Sequence, residues 1–381
     1  EFNVAVGINS LDALTSGDNN TVMGYEAGGA LTTGGENTIL GNYAVSTGVL
    51  TGNGNVAIGR LAGQDLTSAD GNVIIGRSAA QQATTSDGNV IIGDGAVQVG
   101  ILTGNDNVVL GQGAGVDLTS AAQNVIIGEQ SGAQITTASE NVYIGHKAAG
   151  TGIGTSSYNV AIGNEAGEAA TSMSESVAIG YRALEANTTG SNNIGIGYTA
   201  LDNADAENHN LAIGTNALGG VINGAEYNVG IGNYALQALT SGDFNTTLGY
   251  HSGTNLSTGQ QNVFIGYQAG KEATSSDGCT VVGRFAGGGS GTMTGNLNVY
   301  VGNSAGAAAT SGANNTVVGS GAADALTSGS ENTIMGEEAG GALTIGDHNV
   351  LIGNHAGDAI VVERRNVAIG NNALTAHRTT A

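Results

Sequence analysis

Asn, then an aliphatic residue or Thr, then any residue, then a second aliphatic residue, then Gly: this phrase recurs 22 times, twice with Ser or Cys in place of Asn, from Asn3-Val4-Ala5-Val6-Gly7 to Asn366-Val367-Ala368-Ile369-Gly370. Its closing glycines step mostly by 17 residues, at times by 18 and once by 19. A unit that short has too few residues to bury a core of its own. It is stable only as one coil of a solenoid, stacked on its neighbours. The expected fold is all-β, a parallel β-solenoid of 22 coils of about 17 residues, forming a single repeat domain over residues 1–381 with no visible caps. Function is then expected on a long surface rather than in a pocket.

The coil Asn55–Gly71 shows what each position demands. The aliphatic residues at the second and fourth positions, such as Val73 and Ile75, alternate with a period of two, which predicts a short strand with those residues inward. Gly at the fifth position permits the tight backbone of a turn. Three residues later Ala stands in 19 of 22 coils, with Ser10, Ser131 and Ser252 as exceptions, so only a small side chain is expected to fit there. A weaker apolar position (Leu14, Leu31, Leu66, Leu118) and a Thr-Ser or Thr-Thr pair follow, so each coil is expected to hold two short strands and two turns.

The Asn column is filled in 20 of 22 coils, with Ser176 and Cys279 as the departures. Stacked amides can hydrogen-bond along the solenoid, so Asn55, Asn72, Asn89, Asn107 and Asn124 are read as a structural ladder, and Asn also suits a turn. The middle strand position is expected to point outward. It carries Val22, Ile39, Ile74, Ile91, Val109, Ile126, Tyr143, Phe264, Val281, Ile334 and Leu351, an apolar stripe that calls for a partner. The expected partner is the chain itself, most plausibly as a homotrimer.

Nine basic against 31 acidic residues give a net charge of -22, which repels nucleic acid and anionic membranes. No segment approaches 18 apolar residues, no signal peptide is visible, and the single Cys279 excludes an intrachain disulfide. Carboxylates gather just before the ladder position, at Asp18, Glu36, Asp70, Asp87 and Asp106 among others. They read either as a solvated acidic edge or as calcium bridges between coils, the one cofactor considered. Tyr25, Tyr181, Tyr198, Tyr250 and Tyr267 follow turn glycines and are candidates for contact with a surface glycan, a receptor or a neighbouring chain. An ice-binding reading of the Thr column is disfavoured, because adjacent strand residues point to opposite faces. His146, His209, His251, His348, His355 and His377 form no column, and no catalytic motif is present, so the chain is not expected to be an enzyme. Residues 1–59 carry acids and no Lys or Arg until Arg60, whereas Arg364, Arg365 and Arg378 lie near the other end. Head-to-tail polymerisation into a filament is the alternative assembly this raises.

The run Val177-Ala178-Ile179-Gly180-Tyr181-Arg182-Ala183-Leu184 with the turn Asn187-Thr188-Thr189-Gly190 resembles the repeat of phage tail-fibre proteins. It is also similar to the head domains of trimeric autotransporter adhesins. The resemblance spans the chain at the level of the repeat. It implies a left-handed parallel β-roll assembled as a trimer, extracellular or on a virion appendage, with a structural or adhesive role.

Overall fold

The computed structural model describes residues 2–152, 154–289 and 291–375; Glu1, His377 and Arg378 lie outside the described residues. It divides into two compact units, Glu1–Asn192 and Asn193–Ala381. In the first, 11 three-residue strands run from Val4–Val6 to Val177–Ile179, and in the second another 11 run from Ile194–Ile196 to Val367–Ile369. Within each unit, successive strands pair in parallel and in one fixed register. Val73, Ile74 and Ile75 face Val90, Ile91 and Ile92 in the first, and Val263, Phe264 and Ile265 face Thr280, Val281 and Val282 in the second. Each unit is thus a parallel β-solenoid, and no helix occurs among the described residues.

Among the described residues, a second strand per coil does not form. In its place are two isolated bridges, Leu31 with Leu50 and Ala273 with Met293. The extra residues of the longer coils fall in this stretch: Leu31 stands seven residues after Gly24, whereas Leu50 stands nine after Gly41.

The turn glycine is fixed by both conformation and space. At Gly128 φ is +132°, a region closed to side chains, and an added Cβ would stand 2.4 Å from the carbonyl oxygen of Gly145 in the next coil. Beyond it, left-handed residues alternate with ordinary ones, as at Arg182 and Leu184, both with φ of 54°. Single αL residues of this kind bend the backbone sharply without starting a helix.

The strands are turned the other way from the expectation above. The middle residues, including Val22, Ile39, Ile74, Ile91, Val109, Ile126, Tyr143, Phe264, Val281, Ile334 and Leu351, are buried. Their neighbours on either side, such as Val73 and Ile75, are only half-buried. Both parities of the strand are apolar, so alternation alone does not say which faces in. What decides is space, for the middle column trades volume with the position four residues after the turn glycine. Ala178, Gly195, Ala212 and Gly230 occur with Leu184, Leu201, Leu218 and Leu236, whereas Val109, Phe264, Tyr300 and Leu351 occur with Gly115, Gly270, Gly306 and Gly357. A Cβ on Gly306 would come within 2.5 Å of the Tyr300 ring, and one on Gly270 within 2.7 Å of Phe264. In those coils the two columns trade volume within one thin core, as close packing favours, whereas Ala57 with Gly63 and Ile39 with Val45 do not follow the trade. The Ala column beside them is buried in the interior coils (Ala62, Ala79, Ala96, Ala114), and Ser131 and Ser252 keep its size while donating to the carbonyls of Tyr143 (3.2 Å) and Phe264 (2.9 Å).

Candidate binding face

Three side-chain ladders tie the coils together where the strands do not. In the first, Asn72 donates from its backbone N–H and from Nδ2 to Oδ1 of Asn55, both at 3.0 Å, and again from Nδ2 to the Ser86 carbonyl at 2.7 Å. Asn89, Asn107 and Asn124 repeat the pattern, with Nδ2 to Oδ1 distances of 3.1, 3.0 and 3.0 Å. Asn55 itself donates to Oδ1 of Asn37 at 3.1 Å. These amides are buried, and each has both lone pairs and both N–H groups engaged, so the column is structural. Cys279 keeps the backbone part of the ladder, accepting at Sγ from the Asn298 N–H at 3.5 Å, and burial pushes its thiol pKa up.

The second ladder stands two residues before the first. The Asp70 carboxylate accepts the Asn53 N–H at 2.6 Å, and Asp87 accepts the Asp70 N–H at 2.8 Å. Asn105 accepts the Asp87 N–H, also at 2.8 Å, and Asp243, Asp277, Asp347, Ser139 and Ser330 do the same elsewhere. Any short side chain with an acceptor serves, which explains why Asp, Asn and Ser alternate there. Asp18 occupies this column too, and its carbonyl accepts the Glu36 N–H at 2.8 Å. Glu36 and Asp106 sit one residue later, in the left-handed conformation (φ of 61° and 58°). The five calcium candidates are therefore split between two positions and do not converge. Among the described residues, the one trio of carboxylates close enough to share an ion is Glu165, Glu168 and Glu185. Cations already serve that trio: Arg182 Nε stands 2.6 Å from Glu165 and 3.6 Å from Glu185, and Lys147 Nζ stands 3.9 Å from Glu168.

In the third ladder Thr hydroxyls donate to the next coil's carbonyl, as from Thr67 to Thr84 and from Thr119 to Thr136, each at 2.9 Å. Those hydroxyls are occupied by backbone, which leaves the Thr column poorly suited to ordering ice.

The outward face of the strands is uniform. Its first and last residues give two columns, 44 positions over 22 coils, of which none is charged and six are Thr. They are half-buried through most of each unit and more exposed at places such as Met23, Leu248 and Met335. In a chain with 31 acidic residues, this strip stands out as free of every one of them.

Aromatic residues border the strip. Tyr25 meets Tyr43 edge-on at 5.3 Å between centroids, and Glu26, by hydrogen bonding and by charge, pushes the Tyr25 pKa up to about 12. Arg182 lies over the Tyr181 ring at 5.2 Å, and Tyr198 is exposed. Tyr250 and Tyr267 stack at 5.6 Å, Tyr234 stacks on His251 at 4.8 Å, and His209, Tyr227 and Phe244 form a second stack at 4.8 and 5.2 Å. The stacked rings cover one another's faces. Sugar stacking is thereby confined to the ends of each stack, while edges and hydroxyls remain for hydrogen bonding. Of the other histidines, His348 stands 3.0 Å from Glu331 and His355 stands 3.2 Å from Glu338, so the histidines are dispersed as their sequence positions imply.

A shallow groove of about 450 Å³, lined by Asp117, Gln130, Gln134, Lys147 and Thr151 among others, crosses the first unit and has no Ser, Cys or His in its wall. No family model matches the chain, and no curated protein matches it either.

Proposed function

We propose that this chain is a non-enzymatic structural and adhesive fibre protein. In this reading it forms the rigid shaft or binding surface of an extracellular or virion appendage, as a homotrimer of left-handed β-rolls. The observation that carries it is the uncharged outward strip. Stacking at the strand spacing of about 4.8 Å makes each 11-coil unit about 50 Å long, and a strip about 10 Å wide then offers about 500 Å² per unit. One unit's strip alone supplies more than half of the ~800 Å² per partner of a stable protein interface. An apolar surface this extended marks an interaction site. A regular partner with the same coil spacing covers it best, and a second copy of the chain has that spacing. Contact with a surface glycan or receptor falls to the exposed hydroxyl edges of Tyr25, Tyr181, Tyr198, Tyr250 and Tyr267.

Mass photometry at micromolar concentration tests the assembly, with Ile92→Lys/Ile144→Lys as the variant that charges the strip without touching the core. A trimer that the variant dissociates supports the reading; a wild-type monomer refutes it. In negative stain, discrete particles fit a fibre segment, and indefinite threads would instead favour the head-to-tail filament.

A further inference from the structure

We propose that the outer surface of the coils built on Gly249, Gly266 and Gly283 binds an acidic oligosaccharide, a chain of uronic-acid sugars, through Arg284 and the pair Tyr250 and Tyr267. The proposal deepens the adhesive reading above and rests on it for the glycan contact. Its first support is a break in the charge of the chain. Residues 244–323 hold two acids, Glu272 and Asp277, and two bases, Lys271 and Arg284, whereas the rest of the chain holds 29 acids and seven bases. An anion approaching other coils meets a surface that repels it. Over this stretch the charges balance, and at physiological salt those of coils further than about 8 Å away are largely screened.

Of the two cations, one is already engaged: Lys271 Nζ stands 3.4 Å from Glu272. Arg284 is exposed and, among the described residues, has no carboxylate partner. Its guanidinium lies over the Phe285 ring at 4.3 Å, Phe285 meets Tyr267 edge-on at 5.4 Å, and Tyr267 stacks on Tyr250 at 5.6 Å. A guanidinium held by its face keeps its edge N–H groups for a ligand, and that planar fork matches a carboxylate. Tyr250, Tyr267 and Arg284 each follow the turn glycine in three successive coils, so they form one row at about 4.8 Å per coil. The phenol hydroxyls beside the fork can donate to and accept from sugar hydroxyls, and Gln268 Nε2, 3.4 Å from the Tyr267 hydroxyl, adds a further polar group. An acidic peptide carries the same carboxylates, but an extended peptide gains its affinity by pairing with a free strand edge. Thr246–Leu248, Val263–Ile265 and Thr280–Val282 are each paired on both sides, which favours the sugar.

Isothermal titration of the full chain with tetragalacturonate, with its methyl ester and with a tetraglutamate peptide tests it. The free acid should bind about tenfold or more tightly than the ester, which keeps the hydroxyls but loses the charge-assisted pair. The peptide should bind more weakly than the acid. Arg284→Gln should weaken the acid about tenfold and leave the ester unchanged, and Arg284→Lys, which keeps the charge without the fork, should fall between. Tyr267→Phe should weaken acid and ester alike, and Arg60→Gln, an exposed cation of the other unit, should change neither. Arg284 is exposed, so its variants should melt with the parent in circular dichroism. Acid and ester bound equally, or Arg284→Gln binding the acid as the parent does, would overturn the proposal and leave glycan contact standing. A peptide bound as tightly as the sugar would overturn it in favour of a protein partner. No binding of either sugar would overturn it as well, whereas the fibre reading fails separately, on a monomer in mass photometry.

Discussion

Exchanging volume between Phe264 and Gly270 probes how the core is filled. Phe264 is fully buried, and its ring also lies 3.1 Å from where a Cβ on Gly253 would stand in the preceding coil. Phe264→Ala removes the ring and leaves a cavity in a core one side chain thick, a loss of about 3–5 kcal/mol. Gly270→Leu alone drives a side chain into that ring, costing about 1–3 kcal/mol of overpacking, and the left-handed backbone adds about 1–2 kcal/mol for a residue with a Cβ. In the double variant the coil acquires the pairing found at Ala178 and Leu184. Leu184 has φ of 54° and Gly270 has 56°, so the new Leu enters a conformation that Leu already adopts in this fold. The void and the collision then cancel, leaving mainly the backbone term. With void and collision both relieved, the expected coupling between the two changes is about 4 kcal/mol or more, at or above the top of the range for residues in contact. Urea unfolding followed by circular dichroism measures it. Hydrogen exchange on residues 260–290 should accompany it, because a stacked array need not unfold in one step. Losses that add to within about 0.5 kcal/mol would refute the idea that these columns share one space.

Further outcomes follow from the turns, ladders and charges. Gly128→Ala places a Cβ 2.4 Å from the Gly145 carbonyl oxygen at φ of +132°, so it should cost about 3 kcal/mol or more; a melting temperature equal to the parent's would contradict this. Asn107→Ala leaves Asn124 N–H and Nδ2 without their acceptor and the Ala121 carbonyl without a donor; at about 1–3 kcal/mol per orphaned group, urea unfolding should show a loss above about 3 kcal/mol. EDTA should leave the melting temperature unchanged, since Asp70 and Asp87 already serve backbone N–H groups, and a fall of several degrees would restore the calcium reading. Burial and the nearby Lys271 hold the His251 pKa below its ordinary value. The unfolded chain therefore takes up that proton first as pH falls, so stability should drop through the ordinary histidine range and His251→Gln should flatten the drop.

The repeat, the turn glycine, the small Ala column and the position of the Asn ladder could all be read from residues, because each is a constraint every coil must meet. The orientation of the strand could not. Its flanks, uniformly Val, Ile, Leu, Met or Thr, look like a core, whereas its middle ranges from Gly195 to Tyr143 and looks like a surface. The signal that helps is pairwise and confined to some coils: Ala178, Gly195, Ala212 and Gly230 occur with Leu four residues after the turn glycine, and Phe264, Tyr300 and Leu351 with Gly. Carboxylates before the ladder were seen as charge, while their work as acceptors for the preceding coil depends on stacking that only coordinates display. Tyrosines that follow turn glycines were legible as a row. That their faces are occupied by Tyr267, Arg182 or His251 was not, since those partners belong to other columns or other coils.

Pulsed electron–electron spin resonance across the first unit measures the stacking itself. Nitroxides are placed on exposed residues of one turn column, Thr33, Ser68, Ser120 and Ser172, in a Cys279→Ser background and diluted with unlabelled protein. Thr33 to Ser120 spans five coils, Ser68 to Ser172 six, and Thr33 to Ser172 eight. At about 4.8 Å per coil, the expected distances are about 24, 29 and 38 Å, rising in proportion to the number of coils. Distances that level off, or that bear no relation to coil number, would contradict a parallel stack of 17-residue coils.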